Sequence, residues 1–459
     1  FGAYFLAAVL RADPADPAPD PAEEAWRAAL EKKARDFFEI KVLPRLPRDG
    51  SGQEGTSYTL FALGTLVRYL EMRRLRGVDL YLSTPYLSRC LDYQLALTEP
   101  ASNFLLNPGD RSSIATPWNP YGYLLCRFAD EFNRPEYQHQ ASRISLRQEG
   151  DILATMMWFN PSRGERPRVV TPVYFPEGGE AVAAFNGGDG PWLFFTSWRH
   201  RLSHAHPDLN SFVLYHRGDP LLVDHGYSYW KNTQEHNTLL VRDTSGILHG
   251  QRGENTLWLL DGKPYHDPDP KRRWKEADFI DQGRILDSRV NSDFRYVHLV
   301  GDATGAYDPA LELTRFHRYL TMVGGIIFLF DEVRSRQAHR YEIRFHNAVG
   351  PIPDPVNRFS LPGGQRARLL SGASRLDFYL DADKESGLAP TRVVRPQKIK
   401  EKGMAHSWYI GSFRVKNSAY DYQGAATDPL LHPEYSADFW LDRFATQNIF
   451  PPEPHGWHL

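Results

Sequence analysis

The sequence predicts an α+β chain in two parts, helical hairpins followed by an antiparallel β-sandwich, and three observations predict it. Apolar residues recur at helical spacing from the start to about residue 160. From about residue 166, short runs rich in β-branched and aromatic residues take over, separated by Gly, Asp and Pro turns. The length of 459 residues allows a large buried core and about two or three domains. The division is drawn between a helical domain at 1–165 and a β domain at 166–459.

Along the first part, "FGAYFLAAVLRA" is apolar like the core of a signal peptide. It lacks an initiator Met and a basic leader and merges into helical periodicity, so it reads as a helix. "ADPADPAPDPAEEAW" reads as a connection ending in a new helix. In "SYTLFALGTLVRYLEMRRLRG" the residues Leu60, Leu63, Val67 and Leu70 share one face, and Gly77 stands where a C-cap belongs. "STPYLSRCLDYQLALTEP" repeats the pattern with Leu87, Leu91 and Leu95, opening on a Ser/Thr-Pro start signal and closing before Pro100. Cys90 and Cys126 fall inside helix-like stretches, so no disulfide framework holds the fold.

The second part contains "PWLFFTSW", "SFVLYHRGDPLLVD", "HNTLLV", "RYLTMVGGIIFLFDEV" and "HRYEIRF", with "HRGDP" as a hairpin turn. Lys and Arg number 54 against 56 Asp and Glu, so no overall basic field draws the chain to nucleic acid, although a local basic groove is compatible with this balance. Aromatic residues make up 13% of the chain, suiting β-sheet cores or sugar-stacking clefts. No apolar run approaches the roughly 20 residues that span a bilayer.

The chemistry concentrates in "RLSHAHPDLNSFVLYHRGDPLLVDHGYSYW" and the following "HNTLLV". Residues two apart in an extended segment point the same way, so His204 and His206 can face one cleft, and the hairpin returns Asp224 toward the same end of the sheet. With His236 these form a reasonable donor set for Zn²⁺, while Ser203 and Asp208 are placed to orient the imidazoles. Spacing alone leaves ordinary loop histidines as an equal reading.

These motifs resemble the heparinase II/III-like polysaccharide lyases, a family that includes heparinase II and alginate lyases. The shared pattern is His-x-His-x-Asp, a hydrophobic strand, a glycine, a second hydrophobic strand ending in Asp-x-Gly, then His-Asn-Thr. "DGSGQEGTSYTLFALG" is similar to the family's Glu-Gly-x-x-Tyr stretch at the start of a toroid helix. The resemblance covers most of the chain and is weakest after about residue 350. It implies an (α/α) toroid followed by an antiparallel β-sandwich. With only about seven helices countable, the toroid is expected to be incomplete, lacking its N-terminal part.

The resemblance further implies β-elimination of an anionic polysaccharide next to a uronic acid. It puts the proton-donating Tyr at Tyr58, a histidine base at His204 (Tyr58 serving as both for the other substrate epimer), and metal ligands at His206, Asp224 and His236. The metal is a single divalent ion, read as zinc, in a mainly structural role. Gln53 and Glu54 are candidate substrate-binding residues. The family's carboxylate neutraliser, counted back from Tyr58, falls near Gly2, where only "FGAYF" stands; it lies upstream or is replaced by a group such as Gln53. A periplasmic or secreted location follows by the same resemblance, and the oligomeric state stays open.

Plainer readings stand beside these. Tyr58 suits the core face of an amphipathic helix, and Gln53 and Glu54 suit a helix-entry loop. His236 and His346 suit strand-end hydrogen bonds, and "EMRRLRG" a solvated helix end. The competing functions are a glycoside hydrolase on a toroid, for which no acid pair beyond Glu54 stands near Tyr58, and a non-catalytic glycan-binding protein.

Overall fold

The computed structural model describes residues 21–52, 54–106, 108–109, 115–116, 121–144, 151–184, 190–198, 204–224, 233, 236–252, 258–260, 263–265, 282–291, 295–346, 358–363, 366–371, 373–379, 397–401 and 404–409. The opening segment read as a helix lies outside them, as do Gln53 and Ser203. The chain divides into two compact units. One holds residues 1–52, 58–95 and 118–168; the other holds 53–57, 96–117 and 169–459.

The first unit is helical. Its helices are α1 (Pro21–Arg35), α2 (Gly55–Arg74), α3 (Cys90–Ala96), α4 (Gly122–Phe132), α5 (Pro135–Ser142) and α6 (Ile152–Trp158), the first residues of α2 and the last of α3 counting with the second unit. Helix α2 buries Leu60, Leu63, Val67 and Leu70, the face its spacing predicts, because i, i+3, i+4 positions line one side. It stops at Gly77, whose φ of +78° lets its N–H return to the Arg74 carbonyl at 2.9 Å. The predicted helix through Leu87 begins as a 3-10 turn at Pro85–Ser88 and becomes α-helical only at Cys90. A proline there opens a turn without needing an N–H partner.

Tyr81 is fully buried between two guanidinium groups, Arg74 at 4.7 Å and Arg127 at 4.6 Å from its ring. Glu131 receives both arginines. Burial works to raise the Glu131 pKa, but its hydrogen bonds to Arg74 and Arg127 outweigh it and hold the carboxyl below its ordinary range. Cys90 and Cys126 are both buried and are not joined in a disulfide.

The second unit is built from antiparallel strands. A short pair, β1 (Leu105–Leu106) and β2 (Ala115–Thr116), precedes a five-stranded meander: β3 (Val173–Phe175), β4 (Glu180–Ala184), β5 (Pro191–Thr196), β6 (Ser211–His216) and β7 (Asp219–Leu222). Then come β8 (Leu239–Arg242), β9 (Leu248–His249), the hairpin β10 (Trp258–Leu260) and β11 (Lys263–Tyr265), and a four-stranded meander of β12 (Arg284–Asn291), β13 (Tyr296–Asp302), β14 (Leu313–Val323) and β15 (Ile326–Ser335). Strand β16 (Arg340–Ile343) returns to pair with β8. The remaining strands are β17 (Arg358–Gly363), β18 (Arg366–Ser371) and β19 (Ser374–Tyr379) in one sheet, and β20 (Gln397–Glu401) with β21 (Met404–Tyr409).

The two meanders pack face to face. Ala181, Ala183, Leu193, Phe195, Phe212 and Leu214 from the first meet Val297, Leu299, Leu320 and Met322 from the second in one buried cluster. Alternation explains it, since every second residue of each strand faces inward. Strand β14 alternates buried Phe316, Arg318, Leu320 and Met322 with partly exposed neighbours. The arginine in that inward row is the exception that matters for the site.

Candidate active site and metal centre

Three of the predicted site residues converge in the second unit. Potential ligand atoms of His206, Asp224 and His236 all lie within 4.8 Å of one another, and all three residues are buried. The Nδ1 of His236 and Oδ2 of Asp224 share a hydrogen bond of 2.6 Å, and the His206 and His236 rings lie 5.2 Å apart, centre to centre. Each side chain comes from the end of an apolar run: His206 from the loop before β6, Asp224 just beyond β7, and His236 before β8. The tight β6–β7 hairpin, turning through Arg217 (φ +52°) and Gly218 (φ +85°), returns Asp224 to the level where β6 began. Two imidazoles and a carboxylate form a donor set that fits a divalent cation. Asp224 can orient His236 through one oxygen and offer the other to an ion, the usual carboxylate–histidine arrangement at such centres.

His204, two residues before His206, is half-buried. A Cβ at Gly109 would come within 3.0 Å of the His204 carbonyl oxygen and 3.2 Å of the Glu54 carbonyl oxygen, so the three main chains meet there. Thr56 strengthens this junction by donating its hydroxyl to the Leu106 carbonyl at 2.8 Å. Residues 53–57 therefore cluster with the β unit although the apolar period of α2 runs on from them. Gly55 has φ +76°, a backbone state that only glycine adopts without strain, which gives the Glu-Gly pair at the head of α2 a physical reason. Tyr58, on the first turn of α2, is half-buried and belongs to the helical unit.

Tyr215 on β6 is buried. Its burial, reinforced by the Glu99 and Asp224 carboxylates, pushes its phenol pKa well up. It stays protonated and is no candidate base.

A polar frame holds the ligand-bearing segments from behind. The Asn237 side-chain amide donates to the Phe212 carbonyl at 2.7 Å and the Val223 carbonyl at 3.1 Å, and its oxygen accepts from the His346 N–H at 2.6 Å. Gln251 accepts from the Leu209 N–H and donates to the Leu209 carbonyl, both at 2.8 Å. Arg318, fully buried, donates to the Asn210 carbonyl at 2.6 Å and the Asn237 carbonyl at 2.5 Å, and forms a two-pronged pair with Asp331 at 2.7 Å on each oxygen. His346 thus has the strand-end hydrogen-bonding role its context suggests.

Sequence reasoning missed Arg318 and Asp331, and a signal for them existed. They stand equidistant from the Gly324-Gly325 turn, which makes them direct cross-strand partners, on the inward row of an alternating strand. A charge in an inward row needs a buried counter-charge.

The family model for the heparinase II/III-like C-terminal domain matches residues 169–421, more than half of the chain. Among solved structures, a heparinase III is similar at 14% identity with a TM-score of 0.50, covering 80% of this chain and 52% of its own. A second heparinase III gives 14% and 0.50, covering 90% of this chain and 63% of its own. A mutant heparan sulfate lyase HepC from Pedobacter heparinus gives 12% and 0.50, covering 88% and 63%. The chain thus spans about half to two thirds of the length of the structures it resembles, and at these identities the likeness speaks to the fold. No curated protein sequence matches it. On the family match, the chain belongs to the heparinase II/III-like family through its C-terminal domain.

Proposed function

We propose that the protein is a polysaccharide lyase that cleaves uronic-acid-containing chains, alginate-like or glycosaminoglycan-like, by β-elimination. The observation that carries this reading is the buried His206, Asp224 and His236 cluster, with half-buried His204 on the same loop, in a chain of this family. Hydrolysis of a glycoside by a pair of carboxylates would not need such a cluster, whereas elimination needs a base held against a fixed wall.

In β-elimination a proton leaves carbon 5 of the uronate, negative charge builds on its carboxylate, and the oxygen departing from carbon 4 takes a proton. A phenol is a competent donor near neutral pH and a neutral imidazole a competent acceptor. Tyr58 is assigned the donor role and His204 the base for one epimer, with Tyr58 serving both roles for the other. Gln53 and Glu54 are assigned to substrate contact, which the junction of Glu54 with the His204 main chain through Gly109 supports.

The metal is assigned as zinc, which takes imidazole nitrogen and carboxylate oxygen in four-coordinate sites and, when bound, braces the wall carrying His204. The helical residues 1–165 are assigned to an (α/α) toroid, and the location to the periplasm or outside the cell. No helix among the described residues is long and apolar enough to cross a membrane.

Digestion of a panel of uronate polymers, followed by product masses, tests the reading. Elimination adds no water at the broken bond, so products lacking it support the lyase. A product set in which every cleavage has gained one water contradicts it.

A further inference from the structure

We infer that Arg318, anchored by Asp331, is the positioning residue that sets the spacing of the metal ligands. The inference rests on the metal reading above and extends it to two residues that touch no ligand atom.

Three separate segments deliver the ligands, so something must fix their mutual positions. Arg318 touches two of them directly: it donates to the carbonyl of Asn210, at the end of the His206 loop, and to the carbonyl of Asn237, the residue after His236. Asn237 in turn donates to the carbonyl of Val223, the residue before Asp224. All three ligand segments are therefore tied to one guanidinium through at most one intermediate. Asn210 is itself held in a left-handed conformation, φ +59°, by its amide bonds to the Gly301 carbonyl at 3.2 Å and the Phe316 carbonyl at 3.3 Å.

Guanidinium chemistry suits this task. It is planar and always charged, and it carries five N–H donors in a fixed fork, so two can face Asp331 while others reach the carbonyls. Lysine has the charge without the fork. A buried ion pair is weak evidence for stability, since apolar replacement of such pairs is often neutral. Its best-attested use is registry, which is the role assigned here.

The test compares Arg318→Lys with wild type in the full chain, using Zn²⁺ as the probe. Zinc affinity per folded molecule is read by competition with a chelating dye, folding by circular dichroism, and melting temperature separately. Loss of groups that orient metal ligands typically lowers affinity about 10–100-fold, and that loss is expected here. Arg127→Lys, which disturbs a buried pair in the helical unit, should lower the melting temperature and leave zinc affinity alone.

A folded Arg318→Lys protein with wild-type affinity overturns the inference and leaves the metal reading standing. A wild-type protein that takes up no zinc overturns both. Should Arg318→Lys fail to fold, Asp331→Asn serves in its place, keeping the guanidinium and weakening its anchor. A several-fold affinity loss is then expected, and unchanged affinity overturns the inference.

Discussion

His204 and His206 stand two positions apart on one loop, yet burial separates them: His206 is 1% exposed while His204 remains half-accessible. That difference fits the proposed division of duties, ligand for His206 and base for His204. His236→Ala is expected to lose the metal and lower the melting temperature together, because ligand binding is linked to folding. His204→Ala should keep both and lose turnover on substrates that need a histidine base. Elemental analysis and melting curves on the two variants check this, and equal metal loss in both would remove the division of roles. For Tyr58→Phe, which keeps the ring and deletes one hydroxyl, the expected loss is about 10²–10⁴ in elimination rate with little change in melting temperature. Near-normal turnover would exclude Tyr58 as the donor.

At the scale of the elements, the close fit of β13 against the His206 loop is exposed to a single methyl group. A Cβ on Gly301 would lie 2.1 Å from the Asn210 Oδ1 and 2.6 Å from the Phe195 Cζ. Gly301→Ala is expected to cost about 1–3 kcal/mol of stability by overpacking, measured by denaturant unfolding. Unchanged stability would show that Asn210 moves freely.

The β8–β9 turn makes a separate prediction. Burial works to raise the Asp243 pKa, but Ser245, the His249 ring and the Ile247 N–H outweigh it and hold the carboxyl well below its ordinary range. A carboxyl with a lower pKa folded than unfolded contributes stability above the unfolded value, near 4, and loses it as pH falls through the folded value. Asp243→Asn should thus melt below wild type at pH 7, with the gap narrowing below about pH 4. A gap constant with pH would exclude ionisation as its source.

Much of this scale was legible in the sequence. Period 3.6 marked the buried face of α2, and "HRGDP" between two apolar runs marked the β6–β7 hairpin. The grouping of residues 53–57 with the β unit was not legible, because a contact through Gly109 leaves no mark on local periodicity. The frame of Asn237 and Gln251 was equally hidden, since single polar residues acquire meaning only from partners far along the chain.

For the whole molecule, near-neutral charge constrains how the proposed anionic polymer would be held. With a formal net charge of −2, no overall field attracts a polyanion, so recognition of one would fall to local groups. On the proposed mechanism the polymer's carboxylate matters for chemistry as well as for binding, because it stabilises the charge formed when the carbon 5 proton leaves. Ultraviolet absorbance of the full chain acting on a uronate polymer, beside the same polymer with its carboxyl groups reduced, tests that claim most directly. The account predicts a steady rise from unsaturated uronate ends on the native polymer and none on the reduced one. New reducing ends without absorbance, or equal cleavage of the reduced polymer, would contradict it.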